Sequence, residues 1–178
     1  MKTSEKHKEL APKSVRAAVV TVSDSKFDYL WSSAKELEET KDVSGKHIMD
    51  ALEKAGHEIA FYTIVPDHEG VIVEMIDHIV ATYAPDIIIT TGGTGIARRD
   101  VTVEAVQSIF EKEVDGFGEL FRRESFEKMG GAALLTRALA GVYQDTVIFS
   151  LPGSPDAVKT GMKIILKEAG HLVKHLRE

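Results

Sequence analysis

The chain reads as an α/β protein built on a parallel sheet, and three observations point there. Between residues 15 and 91 the patterning alternates as strand, helix, strand, helix, strand, which is the order of a parallel sheet with right-handed crossovers. The third of these strands, D-I-I-I-T-T, runs straight into a glycine turn, G-G-T-G, at Gly92 to Gly95. A later apolar strand, T-V-I-F-S-L at 146–151, runs equally directly into Pro152-Gly153-Ser154-Pro155-Asp156 and a long helical pattern.

The elements follow in order. Residues 15–22 (V-R-A-A-V-V-T-V) form a compact apolar run, bounded by Lys13-Ser14 and by Ser23-Asp24-Ser25, and predict the first strand. From 26 to 43 the periodicity lapses, with Phe27, Tyr29, Leu30 and Trp31 clustered before a charged run. This stretch is expected to be a surface loop with at most a helical turn, or a lid whose aromatic side chains cover a planar ligand. Ser44 is the expected N-cap of a helix that places Ile48, Ala51, Leu52 and Ala55 on one face and closes at Gly56. Residues 57–65 predict the second strand, ending at Pro66-Asp67-His68-Glu69. The next helix has Ile72, Met75, Ile76, Ile79 and Val80 on one side and stops before Pro85.

After the glycine turn, Thr102 is the expected cap of a short helix burying Val103, Val106 and Phe110. Residues 116–137 read as two shorter helices broken at Gly130-Gly131, with Phe117, Leu120, Phe121, Met129, Leu134 and Leu135 as buried anchors. Arg122, Arg123 and Arg137 are open to ligand contact, a solvated face or subunit salt bridges. In the last helix Ser154 caps, Pro155 sits at the first helical position and Asp156 in the first turn. His171 and His175 have the i, i+4 spacing of a metal pair and also sit where cations offset the negative end of the helix dipole.

Composition narrows the function. The 178 residues suit one domain, 14–178, behind a polar segment, 1–13, expected to be a mobile tail. Twenty-two Lys and Arg against 28 Asp and Glu give a net charge of −6, which disfavours a general nucleic-acid surface. There is no cysteine, hence no disulfide, thiolate nucleophile or Cys-ligated metal. No apolar run approaches the ~18 residues of a membrane span and the N-terminus carries no signal-peptide core, so a cytoplasmic protein without membrane contact is expected.

Chemistry concentrates at the strand exits. Glycine accepts positive φ and lets a ligand approach backbone N–H groups, which suits the binding of a phosphate. Arg98, Arg99 and Asp100 follow the turn, so glycine, cations and a carboxylate converge on one loop. The same pattern also serves as an ordinary tight connection, and it is neither a P-loop nor a dinucleotide fingerprint. Ser154 opens a second candidate loop, since a helix N-terminus past a strand end favours anions.

Five segments together, Thr21-Val-Ser-Asp24, Asp42-Val-Ser-Gly45, Val65-Pro-Asp67, Thr90-Thr-Gly-Gly-Thr-Gly95 with Arg98-Arg-Asp100-Val-Thr102, and Leu151-Pro-Gly-Ser-Pro155, resemble the MoaB/MogA family of molybdenum cofactor biosynthesis proteins. Residues 114–121 and 125–129 look more like the MoaB branch. The resemblance implies a three-layer α/β/α sandwich with a mostly parallel central sheet. It also implies adenylylation of molybdopterin, in which the pterin's terminal phosphate attacks the α-phosphate of ATP and releases pyrophosphate with Mg²⁺. Residue by residue, it makes Asp67 and Asp100 the catalytic and Mg²⁺-holding carboxylates. Gly92, Gly93, Thr94, Gly95, Pro152, Gly153 and Ser154 become phosphate contacts, with Arg99 in the nucleotide site and Ser23, Asp24 and Ser44 at the rim. The partners implied are ATP as co-substrate, molybdopterin, a molybdate-inserting enzyme and further copies of the chain, as a homotrimer paired into a hexamer. Residues 26–41 are longer than the usual family loop, so no pterin contact is carried over there. A carrier that binds molybdopterin without adenylylating it, and an unrelated nucleotide-binding oxidoreductase, are the alternatives. The intact aspartate pair argues against the carrier, and the missing dinucleotide fingerprint against the oxidoreductase.

Overall fold

The computed structural model describes residues 11–33 and 40–178. Ten residues of the expected tail, 1–10, and part of the expected lid, 34–39, lie outside the described residues. Ala11 and Pro12 lie along the C-terminal helix at Gly170, where the Pro12 carbonyl fills the space a Cβ would need.

Six strands form one sheet in the order β2-β1-β3-β6-β5-β4. The strands are β1 (Arg16–Val22), β2 (Glu58–Val65), β3 (Ile87–Thr91), β4 (Lys112–Glu113), β5 (Leu139–Tyr143) and β6 (Thr146–Leu151). β2, β1, β3 and β6 run parallel, while β5 and β4 close one edge antiparallel. β1 and β3 are the continuous β-branched and apolar runs that a strand buried on both faces requires, and Ile87, Ile88 and Ile89 are fully buried.

The helices are α1 (Asp24–Ser33), α2 (Val43–Lys54), α3 (Glu69–Tyr83), α4 (Thr102–Ile109), α5 (Asp115–Met129) and α6 (Pro155–Leu176), with a 3₁₀ segment at Gly130–Leu135. Alternate strand residues divide the core in two. Ala17, Val19, Ile87, Ile89, Val147 and Phe149 pack on α2, α5 and α6. Ala18, Val20, Ile88 and Ile148 pack on α3 and α4. The result is a three-layer α/β/α sandwich with a mostly parallel sheet, as the sequence reading and the resemblance imply. β2 and β3 lie on opposite sides of β1, so the chain reverses direction across the sheet between β1 and β3, and the crevice beyond their carboxyl ends is where open α/β sheets hold ligands.

Four local expectations are corrected. Residues 24–33 are a helix, not a loop, and its weak amphipathicity explains why no period is visible. Asp42, not Ser44, caps α2, accepting from the Gly45 N–H. Thr102 is the first residue inside α4, and no side chain caps that helix. Of the six expected anchors in 116–137, Phe117 and Phe121 are buried, whereas Leu120, Met129, Leu134 and Leu135 are exposed together with Phe126. β4 and β5 were not legible either, because β4 has two charged residues and β5 is interrupted by Gly141.

Candidate active site

Three strand exits stack backbone on backbone. The Gly92 N–H donates to the Leu151 carbonyl at 3.0 Å, and the Thr102 N–H to the Gly93 carbonyl at 2.9 Å. Gly92 has φ +100° and any Cβ there would strike the Val22 carbonyl, while a Cβ on Gly153 would lie 3.3 Å from the Gly92 Cα. Glycine is therefore required by both conformation and space, and the loops after β1, β3 and β6 pack as one floor.

Above that floor lies a cleft of about 740 Å³, within the range of small-molecule sites. Gly92, Gly93, Thr94, Gly95, Asp100, Pro152, Gly153 and Ser154 line it, so the glycine turn and the start of α6 meet in one cavity. Its opposite wall comes from α5 and the 3₁₀ segment, with Phe121, Ser125, Lys128, Met129 and Thr136. Lys128 donates to Thr160 Oγ1 at 2.7 Å, and Lys159 adds a second ammonium group. The sequence reading missed these wall residues. Lysines on amphipathic helices carry no local mark that separates a cleft-facing one from a solvated one.

Ser23, Asp24, Ser44, Asp67 and Arg99, also expected in the site, do not line the cleft. Asp24 and Asp67 hold each other reciprocally: the Asp24 N–H donates to Asp67 Oδ2 and the Asp67 N–H to Asp24 Oδ1, both at 2.9 Å. Desolvation pushes the Asp67 carboxyl above its ordinary range, the Asp24 and Asp100 charges add to the rise, and the Asp24 N–H and Arg99 oppose it. The Asp100 carboxylate accepts from the Ala97 N–H at 2.9 Å and lies against Gly95. Arg99 is exposed, and Ser23 Oγ lies 3.3 Å from Ser25 Oγ. Arg137 is a brace: its guanidinium donates to the Thr94 carbonyl (3.0 Å), the Asp100 carbonyl (3.3 Å) and Glu104 (2.5 Å), clamping both ends of the glycine loop.

Ser44 is buried and donates to the Gly153 carbonyl at 2.7 Å. Behind it, buried Asp42 accepts from Thr21 Oγ1 (2.5 Å), the Tyr62 hydroxyl (2.7 Å) and the Gly45 N–H (3.1 Å). Burial and the Asp42 carboxylate push the Tyr62 phenol far above its ordinary value, so it stays a donor. This network ties β1, β2 and the start of α2 to the Pro152–Ser154 turn.

Two carboxylates, Asp100 in the cleft lining and Asp67 beside it, raise the question of a cation. A Mg²⁺ site is commonly made from one or two carboxylates, phosphate oxygens and water. Asp67 and Asp100 fit that donor set: the Asp100 charge raises the Asp67 carboxyl, and a cation between them would relieve the repulsion. Among the described residues, no group of three or more His, Asp or Glu side chains is arranged to hold a metal by itself. His171 and His175 place their Nε2 atoms 3.0 Å apart, with Glu168 and Glu178 at the Nδ1 atoms, far from this chemistry on the last turns of α6.

A doubly wound sheet with a glycine-floored cleft beyond its carboxyl strand ends, and aspartates at the neighbouring exits, has the architecture in which open α/β proteins hold anionic small molecules. Residues 18–171 match the family described as "Probable molybdopterin binding domain", and the chain belongs to that family. It is 45% identical over 172 residues to the "Probable molybdopterin adenylyltransferase" of Methanocaldococcus jannaschii, covering 97% of this chain and 99% of that one. It is 44% identical over 176 residues to "Molybdenum cofactor biosynthesis protein B" of Bacillus subtilis, covering 98% and 97%. The crystal structure of "tungsten cofactor synthesizing protein MoaB" from Pyrococcus furiosus superposes with a TM-score of 0.81 at 41% identity, covering 94% of this chain and all of that one.

Proposed function

We propose that this protein is a molybdopterin adenylyltransferase of molybdenum cofactor biosynthesis, joining the terminal phosphate of molybdopterin to the α-phosphate of ATP with release of pyrophosphate. The observation that carries the reading is the single cleft shared by the glycine turn and the N-terminus of α6, in a chain full-length similar to a relative of that name. Backbone N–H groups at Gly93–Gly95 and at the start of α6 suit phosphate oxygens, with Lys128 on the α5 wall and Lys159 on α6 as the cationic side chains of the lining. Such a transfer needs positioning and charge neutralisation more than a covalent nucleophile, and the cleft lining offers no thiol or Ser-His pair.

In this reading Asp67 and Asp100 hold Mg²⁺, which when bound neutralises charge on the phosphates undergoing transfer. Arg137 and Ser44 act on the backbone, the first fixing the glycine loop and the second the Pro152–Ser154 turn. The chain works as a homotrimer paired into a hexamer and hands its product to a molybdate-inserting enzyme; the exposed side chains of Leu120, Phe126 and Leu134, outside the cleft, support the assembly. Relatives named for both molybdenum and tungsten make the pterin, not the eventual metal, the substrate to test. Incubation with molybdopterin, ATP and Mg²⁺ should give adenylylated pterin and pyrophosphate in equal amounts. Binding of molybdopterin without either product would leave a carrier instead.

A further inference from the structure

Among the described residues, two buried side-chain polar atoms have no hydrogen-bond partner, and one of them, Thr102 Oγ1, lies on the same side of Gly93 as Asp67 Oδ1. Thr102 is fully buried at the first position of α4. Its backbone N–H holds the Gly93 carbonyl, yet its hydroxyl caps nothing. Burying an unsatisfied hydroxyl is costly, and valine would fill the same volume without the cost. The position of the oxygen supplies a reason for it. A Cβ on Gly93, a residue at φ +61°, would collide with Thr102 Oγ1 and lie 2.8 Å from Asp67 Oδ1. The hydroxyl and the carboxylate oxygen therefore pack on the same side of Gly93, beside Val22 Cγ1, at a distance that only a residue without a Cβ permits. Asp67 Oδ2 is already engaged by the Asp24 N–H, so Oδ1 is the oxygen on the Thr102 side.

We propose that Thr102 is a further oxygen donor of the cation site, its hydroxyl and Asp67 Oδ1 together taking the Mg²⁺ ion directly. A neutral hydroxyl is a hard donor that adds no charge to a site already crowded with carboxylates. The role rests on the proposed function, which places the cation at Asp67 and Asp100. It also accounts for an oxygen unsatisfied in the ligand-free chain, since its partner arrives with the metal.

The test compares wild type with Thr102→Val and Thr102→Ser in the full chain, by calorimetry and thermal melting. ATP is titrated without metal, and Mg²⁺ is then titrated into the protein–ATP mixture. Thr102→Val should melt, ligand-free, at or above the wild-type temperature and bind metal-free ATP as wild type does. It should need about tenfold more Mg²⁺ for half-saturation, with Thr102→Ser near wild type. A Thr102→Val half-saturation within about twofold of wild type, or an equal loss of ATP affinity with and without Mg²⁺, overturns the assignment. If the valine variant does not fold, Thr102→Ala carries the same comparison. Wild-type protein that shows no Mg²⁺-dependent ATP binding would instead defeat the proposed function, and this role with it.

Discussion

Asp24 and Asp67 exchange backbone N–H groups and carboxylates in a closed pair, each bond 2.9 Å long, so the exits of β1 and β2 are locked together by the residues that carry the site's negative charge. The geometry holds Asp67 against Asp24 and within the field of Asp100, which is costly without a cation and useful with one.

That cost gives a pH signature. Because the folded-state pKa of Asp67 is raised, its carboxylate opposes folding at pH values above that raised pKa, and the penalty disappears as pH falls below the ordinary aspartate value. Asp67→Asn should therefore raise the melting temperature of the ligand-free protein near neutral pH, with the gain shrinking to zero in acid. A melting difference independent of pH would show that Asp67 carries no such penalty.

Asp100→Asn should fold normally, because an amide oxygen still accepts from the Ala97 N–H. Removing a full charge from the cation site should lower adenylylation about a hundredfold or more, which corresponds to roughly 3 kcal/mol. Near-wild-type product formation at saturating Mg²⁺ and ATP would reduce Asp100 to a loop residue.

Ser44→Ala leaves the Gly153 carbonyl without its buried donor, and urea unfolding should show a loss of about 1–2 kcal/mol together with weaker molybdopterin binding. Asp42→Ala strands the Thr21 and Tyr62 hydroxyls and the Gly45 N–H, so its cost should be larger, about 3 kcal/mol or more. Equal stabilities for the two variants would sever the link between the α2 cap and the turn.

Trp31 is the one tryptophan of the sequence, 82% exposed and stacked on Phe27 with ring centroids 6.1 Å apart. A cover formed by α1 would bring this pair onto the pterin or adenine ring. Saturating molybdopterin should quench the intrinsic fluorescence, and Trp31→Ala should weaken binding while leaving the melting temperature unchanged. An unaltered emission spectrum at saturation would place α1 outside the ligand's reach.

Phe126 and Leu134 share an exposed apolar groove between α5 and the 3₁₀ segment, a surface that a second copy of the chain would cover. Replacing Phe126 and Leu134 with Glu should shift sedimentation equilibrium from the hexamer or trimer toward monomer without lowering the helical signal. A wild-type protein that is monomeric at micromolar concentration would end the assembly proposal.

The sequence by itself determined the parallel core, because β1, β3 and β6 are short apolar runs buried on both faces and their patterning is dictated locally. It also fixed the glycine turn and the Ser154 cap, since backbone conformation and a free helix end demand particular residues at particular positions. Tertiary structure alone decided the rest. Whether Lys128 faces the cleft or water, whether Leu120 is an anchor or a surface residue, and whether Ser44 caps its helix or holds Gly153 are settled by what packs opposite them. The antiparallel edge depended on the same thing: two charged residues become β4 only because β5 offers a ladder, and a partner as distant in sequence as Gly153 is from Ser44 leaves no mark in a residue's own neighbourhood.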